Sequence, residues 1–85
     1  MVSDFRAAWE RIGALEGEMF EANGQPFQYR FRKTFVVIMP GGQSIPRTHF
    51  EKVFKRMQSG EIEAAPAVQG QKNILAIYRD GRMSG

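Results

Sequence analysis

Phe27-Gln28-Tyr29-Arg30-Phe31-Arg32-Lys33-Thr34-Phe35-Val36-Val37-Ile38-Met39 decides the fold of this chain. Phe27, Tyr29 and Phe31 alternate with Gln28, Arg30 and Arg32, the period-2 pattern of a strand with aromatic residues inward and a polar, basic face outward. After Arg32-Lys33-Thr34, the run Phe35 to Met39 is apolar at every position and predicts a strand covered on both sides. Pro40-Gly41-Gly42 ends that strand in a turn.

Upstream, Ser3 reads as a helix N-cap with Asp4 in the first turn, and Phe5, Ala8, Trp9, Ile12 and Leu15 recur at helical spacing. The spacing predicts a helix over residues 4–16, closed by Gly17. A short strand over residues 18–22 follows, and Asn23-Gly24 supplies the positive-φ pair of a hairpin turn. Downstream, Pro46 fits the first turn of a second helix, with Ser44 or Ile45 at the cap. Phe50, Val53, Phe54 and Met57 form its apolar stripe, and Ser59-Gly60 closes it. Residues 61–72 lack a sustained period and contain Pro66 and Gly70, so they read as a packed loop. Residues 73–79, nearly continuous in apolar side chains from Ile74 to Tyr78, read as a last, central strand. The expected order is α-β-β-β-α-β: a single small α+β domain over residues 1–85, with a mixed or antiparallel sheet packed by two helices.

Eighty-five residues are near the lower end of what buries a core unaided, and the absence of cysteine removes disulfide staples. Seven Phe, two Tyr, one Trp and five Met supply the packing stock. So much apolar material in so small a chain leads us to expect a homo-oligomer, anchored by Trp9 or the aromatic strand residues. Met1-Val2-Ser3-Asp4-Phe5 has neither the basic nor the apolar region of a secretory signal, and no apolar run approaches the roughly 20 residues of a membrane span. A cytoplasmic location without membrane contact is the expectation.

Charge is divided unevenly along the chain. Residues 1–24 carry two Lys or Arg against five Asp or Glu, net −3, whereas residues 25–85 carry ten against four, net +6. Such a division points to a basic surface and to nucleic acid as its partner. Around the second helix Lys52, Lys55 and Arg56 lie opposite the Phe50 stripe, and Arg30 and Arg32 share the outward face of their strand. These five are the candidate phosphate contacts, provided the folded chain brings them together; ordinary solvated helix and strand residues are the competing reading. Tyr29 and Phe31 between arginines suggest a stacking sheet for single strands, but the glycine-containing signature of such sheets is missing and core filling accounts for the alternation.

Catalytic chemistry has little to work with. His49 is the sole histidine, so no cysteine or histidine metal cluster is available, and a lone histidine at a helix start is ordinarily inert. Glu51 stands four residues before Lys55, as in a helix ion pair. Pro40-Gly41-Gly42-Gln43 lacks the spaced glycine and Lys-Ser/Thr of a phosphate loop. No catalytic residue, cofactor or metal is expected.

Leu15-Glu16-Gly17, Phe20, Gly24-Gln25-Pro26-Phe27-Gln28-Tyr29, Phe50-Glu51-Lys52, Gln69-Gly70 and Ala76-Ile77-Tyr78-Arg79-Asp80 together resemble a group of short uncharacterised bacterial proteins. That group travels on mobile elements, including integron gene cassettes and phage-like islands. The resemblance covers most of the chain, rests on turn and core residues, and implies a bacterial accessory protein without transferring any catalytic residue. Two functions stand: a small non-enzymatic nucleic-acid-binding accessory protein, or an antitoxin-like or inhibitor-like protein-interaction module whose acidic first helix and basic remainder meet complementary surfaces.

Overall fold

The computed structural model describes residues 4–62 and 66–83. Its elements are α1 (Phe5–Ala14), β1 (Phe20–Ala22), β2 (Gln25–Phe31), β3 (Phe35–Met39), β4 (Gln43–Pro46), α2 (Arg47–Ser59) and α3 (Gln71–Tyr78), then a 3₁₀ turn at Gly81–Met83. The strands form one antiparallel meander in the order β1-β2-β3-β4. The helices cover one of its faces, making the α+β domain that the sequence predicts.

The helix α1 starts at Asp4, whose carboxylate accepts the Ala7 N–H at 2.8 Å. The expected cap, Ser3, lies outside the described residues. Phe5, Ala8, Trp9 and Ile12 are buried, as their spacing requires. Beyond Leu15 the chain turns back through Gly17 (φ 85°), whose N–H donates to the Tyr29 carbonyl at 3.2 Å. Asn23 and Gly24, both at positive φ, then close the β1–β2 hairpin. Phe20 faces Phe27 across it, with ring centroids 5.9 Å apart.

On β2, Phe27 and Tyr29 point into the core and Phe31 packs half-buried beneath Trp9, centroids 4.9 Å apart. The Tyr29 hydroxyl donates to the Ile12 carbonyl at 2.6 Å, joining the sheet to α1. The neighbouring strand corrects one expectation. Val36 and Ile38 are buried, but Phe35 and Val37 are half-buried and Met39 is exposed, so β3 is covered on one side only. With every described helix on the Val36 side, no described element forms a layer over the outer face of Phe35, Val37 and Met39.

Two further expectations change at the C-terminal end of the sheet. Pro40-Gly41-Gly42 does not lead directly to a helix but reverses the chain into β4, with a cis Met39–Pro40 bond, both glycines at positive φ and the Gly42 N–H on the Ile38 carbonyl. This fourth strand carries one buried side chain, Ile45, and is too short and polar to show a period. Pro46 pairs with Phe35 at its end and serves as the N-cap of α2, one residue earlier than the first-turn position expected.

Residues 73–79, expected as a central strand, fall instead in the helix α3 (Gln71–Tyr78) and its C-cap Arg79, and the helix begins two residues earlier, at Gln71-Lys72, which were expected to close a loop. Ile74, Ile77 and Tyr78 are buried at i, i+3 and i+4, while Leu75 and Ala76 between them are half-buried, so a helical period hides inside an apparently continuous apolar run. The inner face of β1 and β2 needs a cover, and a helix supplies one. Tyr78 completes it, donating its hydroxyl to the Phe50 carbonyl of α2 at 2.9 Å. Gly70 enters α3 at φ 79°, and a Cβ there would stand 2.5 Å from Ile45 Cδ1. The stripe of α2 is as predicted, with Phe50, Val53 and Phe54 buried and Met57 half-buried.

The 3₁₀ turn locks the terminus onto the acidic segment. Arg82 bonds Asp80 at 2.9 and 3.0 Å, donates to the Met19 carbonyl at 2.7 Å, lies 3.6 Å from Glu18 and covers the Phe20 ring at 4.2 Å. Arg11 donates to the Arg82 carbonyl at 2.9 Å, so the first and last elements are tied directly. The bonds from Arg82 hold the Asp80 carboxyl below the usual carboxylate range.

Adjacent residues on β3 should respond in opposite ways. Val36→Asp, which puts a charge into the core, should cost more than about 4 kcal/mol and abolish the cooperative melt, whereas Val37→Asp on the outer face should cost about 1 kcal/mol. Denaturant titration checks both, and equal losses would contradict the one-sided sheet. Asp80 predicts an acid-side effect: a lowered folded pKa means that its stabilisation is present above about pH 4 and is lost as pH falls through the folded value. Asp80→Asn should therefore be less stable than wild type near neutrality, and the difference should close on acidification, read as urea midpoints across a pH series.

Candidate nucleic-acid interface

The five cations singled out by sequence do not form one patch. Arg30 is exposed on the outer face of β2, opposite Val37 in register. Arg32, just beyond that strand, donates to the Phe31 carbonyl at 3.0 Å and lies 3.8 Å from Glu16. Lys52 and Lys55 are exposed on the side of α2 opposite its buried stripe, hence in the helical layer, away from the open sheet face that holds Arg30. Lys55 forms the expected helix ion pair with Glu51 at 3.7 Å. Arg56 is half-buried and donates to the Pro66 carbonyl at 2.8 Å, which anchors the loop after α2.

A different group of cations gathers at the β2–β3 turn. The Arg32 N–H bonds the Phe35 carbonyl at 2.8 Å, the Arg47 N–H bonds the Thr34 carbonyl at 2.9 Å, and Trp9 Nε1 donates to the Lys33 carbonyl at 3.2 Å. These bonds hold Arg32, Lys33 and the start of α2 at one end of the sheet. Arg47 then spreads its guanidinium over Phe5 and Trp9, 5.1 and 5.9 Å from their centroids. Arg30 stands one diagonal step along the outer face from Phe35. Lys33 and Arg47 escape a reading by strand or helix face because one lies in a turn and the other at an element boundary. Only the backbone bonds around Thr34 bring them together.

Phe35 is the other member of this group. Its side chain is half-buried on the outer face, outside the core cluster, and it forms no ring pair among the described residues. Farther down the same face, Met19 (56% exposed) and Met39 (39% exposed) border an apolar hollow of about 400 Å³ with Pro26 and Pro40. The open sheet therefore has a basic end with one ring and an apolar end with two thioethers.

His49, Tyr29 and Tyr78 have structural partners. His49 Nδ1 lies 3.2 Å from the Gln69 carbonyl, a contact in which the ring nitrogen donates. Burial raises the pKa of the Tyr29 and Tyr78 phenols, which keeps both as neutral donors to backbone carbonyls. Among the described residues no three His, Asp or Glu side chains gather as metal ligands, and no helix is long and apolar enough to cross a membrane. Comparison of the chain with protein-family models, curated proteins and solved structures finds no match.

Proposed function

We propose that this is a small accessory protein, of the kind mobile elements carry, that binds single-stranded nucleic acid at the β2–β3 end of its open sheet face without catalysing a reaction. The observation that carries this reading is the half-buried Phe35 ring on the outer face, with Arg30 one diagonal step away and Arg32 and Lys33 in the adjoining turn. A base stacks on a ring whatever its identity, and cations neutralise the phosphates on either side. Of the five residues picked from sequence, Arg30 and Arg32 belong to this surface. Lys52, Lys55 and Arg56 would contribute only to a separate face.

A second reading is a protein-interaction module that self-associates through the apolar end of the same face. The exposure of Met19 and Met39 beside their shared hollow favours it. Light scattering separates the two, since a monomer at high protein concentration removes self-association.

Anisotropy of labelled oligo(dT) and oligo(U) in a salt series tests the first reading. The variant with Arg30, Arg32 and Lys33 all changed to Ala should lower the salt slope by about 2, and Phe35→Ala should weaken binding by about 1–3 kcal/mol. Changing Lys52 and Lys55 to Ala should alter neither. Absence of wild-type binding at low salt would dispose of the proposal, while loss confined to the Lys52/Lys55 variant would move the site to α2.

A further inference from the structure

Asn73 is the only polar residue buried in the described core, at 7% exposure, and it occupies the first turn of α3. Its backbone N–H donates to the Gly70 carbonyl, but its side-chain amide has no hydrogen bond among the described residues. Buried amides as a rule keep partners. Among the described residues no side-chain polar atom that is sealed from solvent lacks one, so the Asn73 amide opens onto a surface that the core does not fill. That surface is a hollow of about 200 Å³ at the end of the sheet opposite the β2–β3 turn, between α3 and the two outer hairpins.

Its chemistry is selective. Gln25, Gln43 and Asn73 bring three primary amides, each a donor and an acceptor. Lys72 adds a positive charge, and Gly70 leaves the α3 N-terminus without a side-chain cap. Phe27 and Ile38 form an apolar floor, and none of the described residues that line the hollow is a carboxylate. An anion is favoured, an ammonium group has no counter-charge, and the volume lies below the roughly 300–1,000 Å³ of sites for drug-sized molecules.

We propose that this hollow binds a small organic acid bearing a hydroxyl group, with its carboxylate between Lys72 and the Asn73 amide and its hydroxyl on Gln25 and Gln43. The site is separate from the nucleic-acid surface and does not depend on it. Lys72 supplies the charge preference, and the amides distinguish a hydroxy acid from a plain fatty acid. Amino acids are disfavoured because their ammonium group would be desolvated without a partner.

Lactate, 2-hydroxybutyrate and glycerate are the probes, read by the side-chain amide signals of Gln25, Gln43 and Asn73 in ¹H–¹⁵N correlation spectra. At least one should shift all three signals saturably in the millimolar range, and lactamide, which has the shape of lactate without its charge, should bind about tenfold more weakly. Lys72→Gln, an exposed change that leaves the core untouched, should reduce acid binding to the lactamide level. Three outcomes would overturn the proposal: no shifts with any probe, equal binding of lactamide, or unchanged binding in Lys72→Gln. A gain in thermal stability for Asn73→Leu together with silent probes would identify the hollow as no more than a hydrated gap.

Discussion

Trp9 is the point on which the layers converge. Its ring meets Phe31 of the sheet at 4.9 Å, Phe50 of α2 at 5.3 Å and Phe5 of its own helix at 5.9 Å, while its indole N–H holds the Lys33 carbonyl. From Phe50 and Phe54 the contacts continue to Tyr78 of α3 at 6.2 and 5.9 Å. Each such pair adds a modest increment beyond area burial, but together they make α1, the sheet, α2 and α3 one cooperative unit. The chain has no disulfide to do this. Gly13 belongs to the same arrangement, because a Cβ there would stand 3.0 Å from the Phe31 ring and push it out from beneath Trp9.

Much of the basic charge serves the fold before it serves any partner. Arg11 and Arg56 cap carbonyls distant in sequence, Arg82 gathers Asp80, Glu18 and the Met19 carbonyl, and Arg47 lies over aromatic rings. Guanidinium suits these tasks because it stays charged and its fork reaches several acceptors at once. The acidic first quarter of the chain is accounted for in part by the same contacts, since Glu16 and Glu18 face Arg32 and Arg82. A charge division that looks like two surfaces in sequence is thus partly a set of internal ties. Those exposed pairs contribute little individually to stability.

What could be read from the sequence follows from how local its cause is. The α1 and α2 stripes, the Asn23-Gly24 turn and the inward aromatic set of β2 depend on residues within a few positions of each other, and they are found as expected. The segment from Ile74 to Tyr78 was not legible, because an uninterrupted apolar run carries no period and the need to cover β1 and β2 is a tertiary fact. Asn73 at its start is the one local hint against a strand buried on both faces. The exposed side of β3 was hidden for the same reason: nothing in Phe35 to Met39 says that helices take one side only. At the candidate site, Arg30 and Arg32 were visible through strand alternation, whereas Lys33 and Arg47 become neighbours only through the carbonyls of Lys33 and Thr34.

The borders of the sheet bear on how the protein can meet other chains. At one border β1 has only three residues, and at the other β4 is a four-residue strand that stops at Pro46, which has no N–H to offer a neighbour. Strand addition along either border would gain few main-chain bonds before it ran out of template. Borders this short disfavour edge-to-edge pairing, although the outer face of β3 carries the half-buried Phe35 and Val37 and the exposed Met39. What such a sheet offers another chain is therefore the side-chain chemistry of its broad face rather than backbone pairing at its borders.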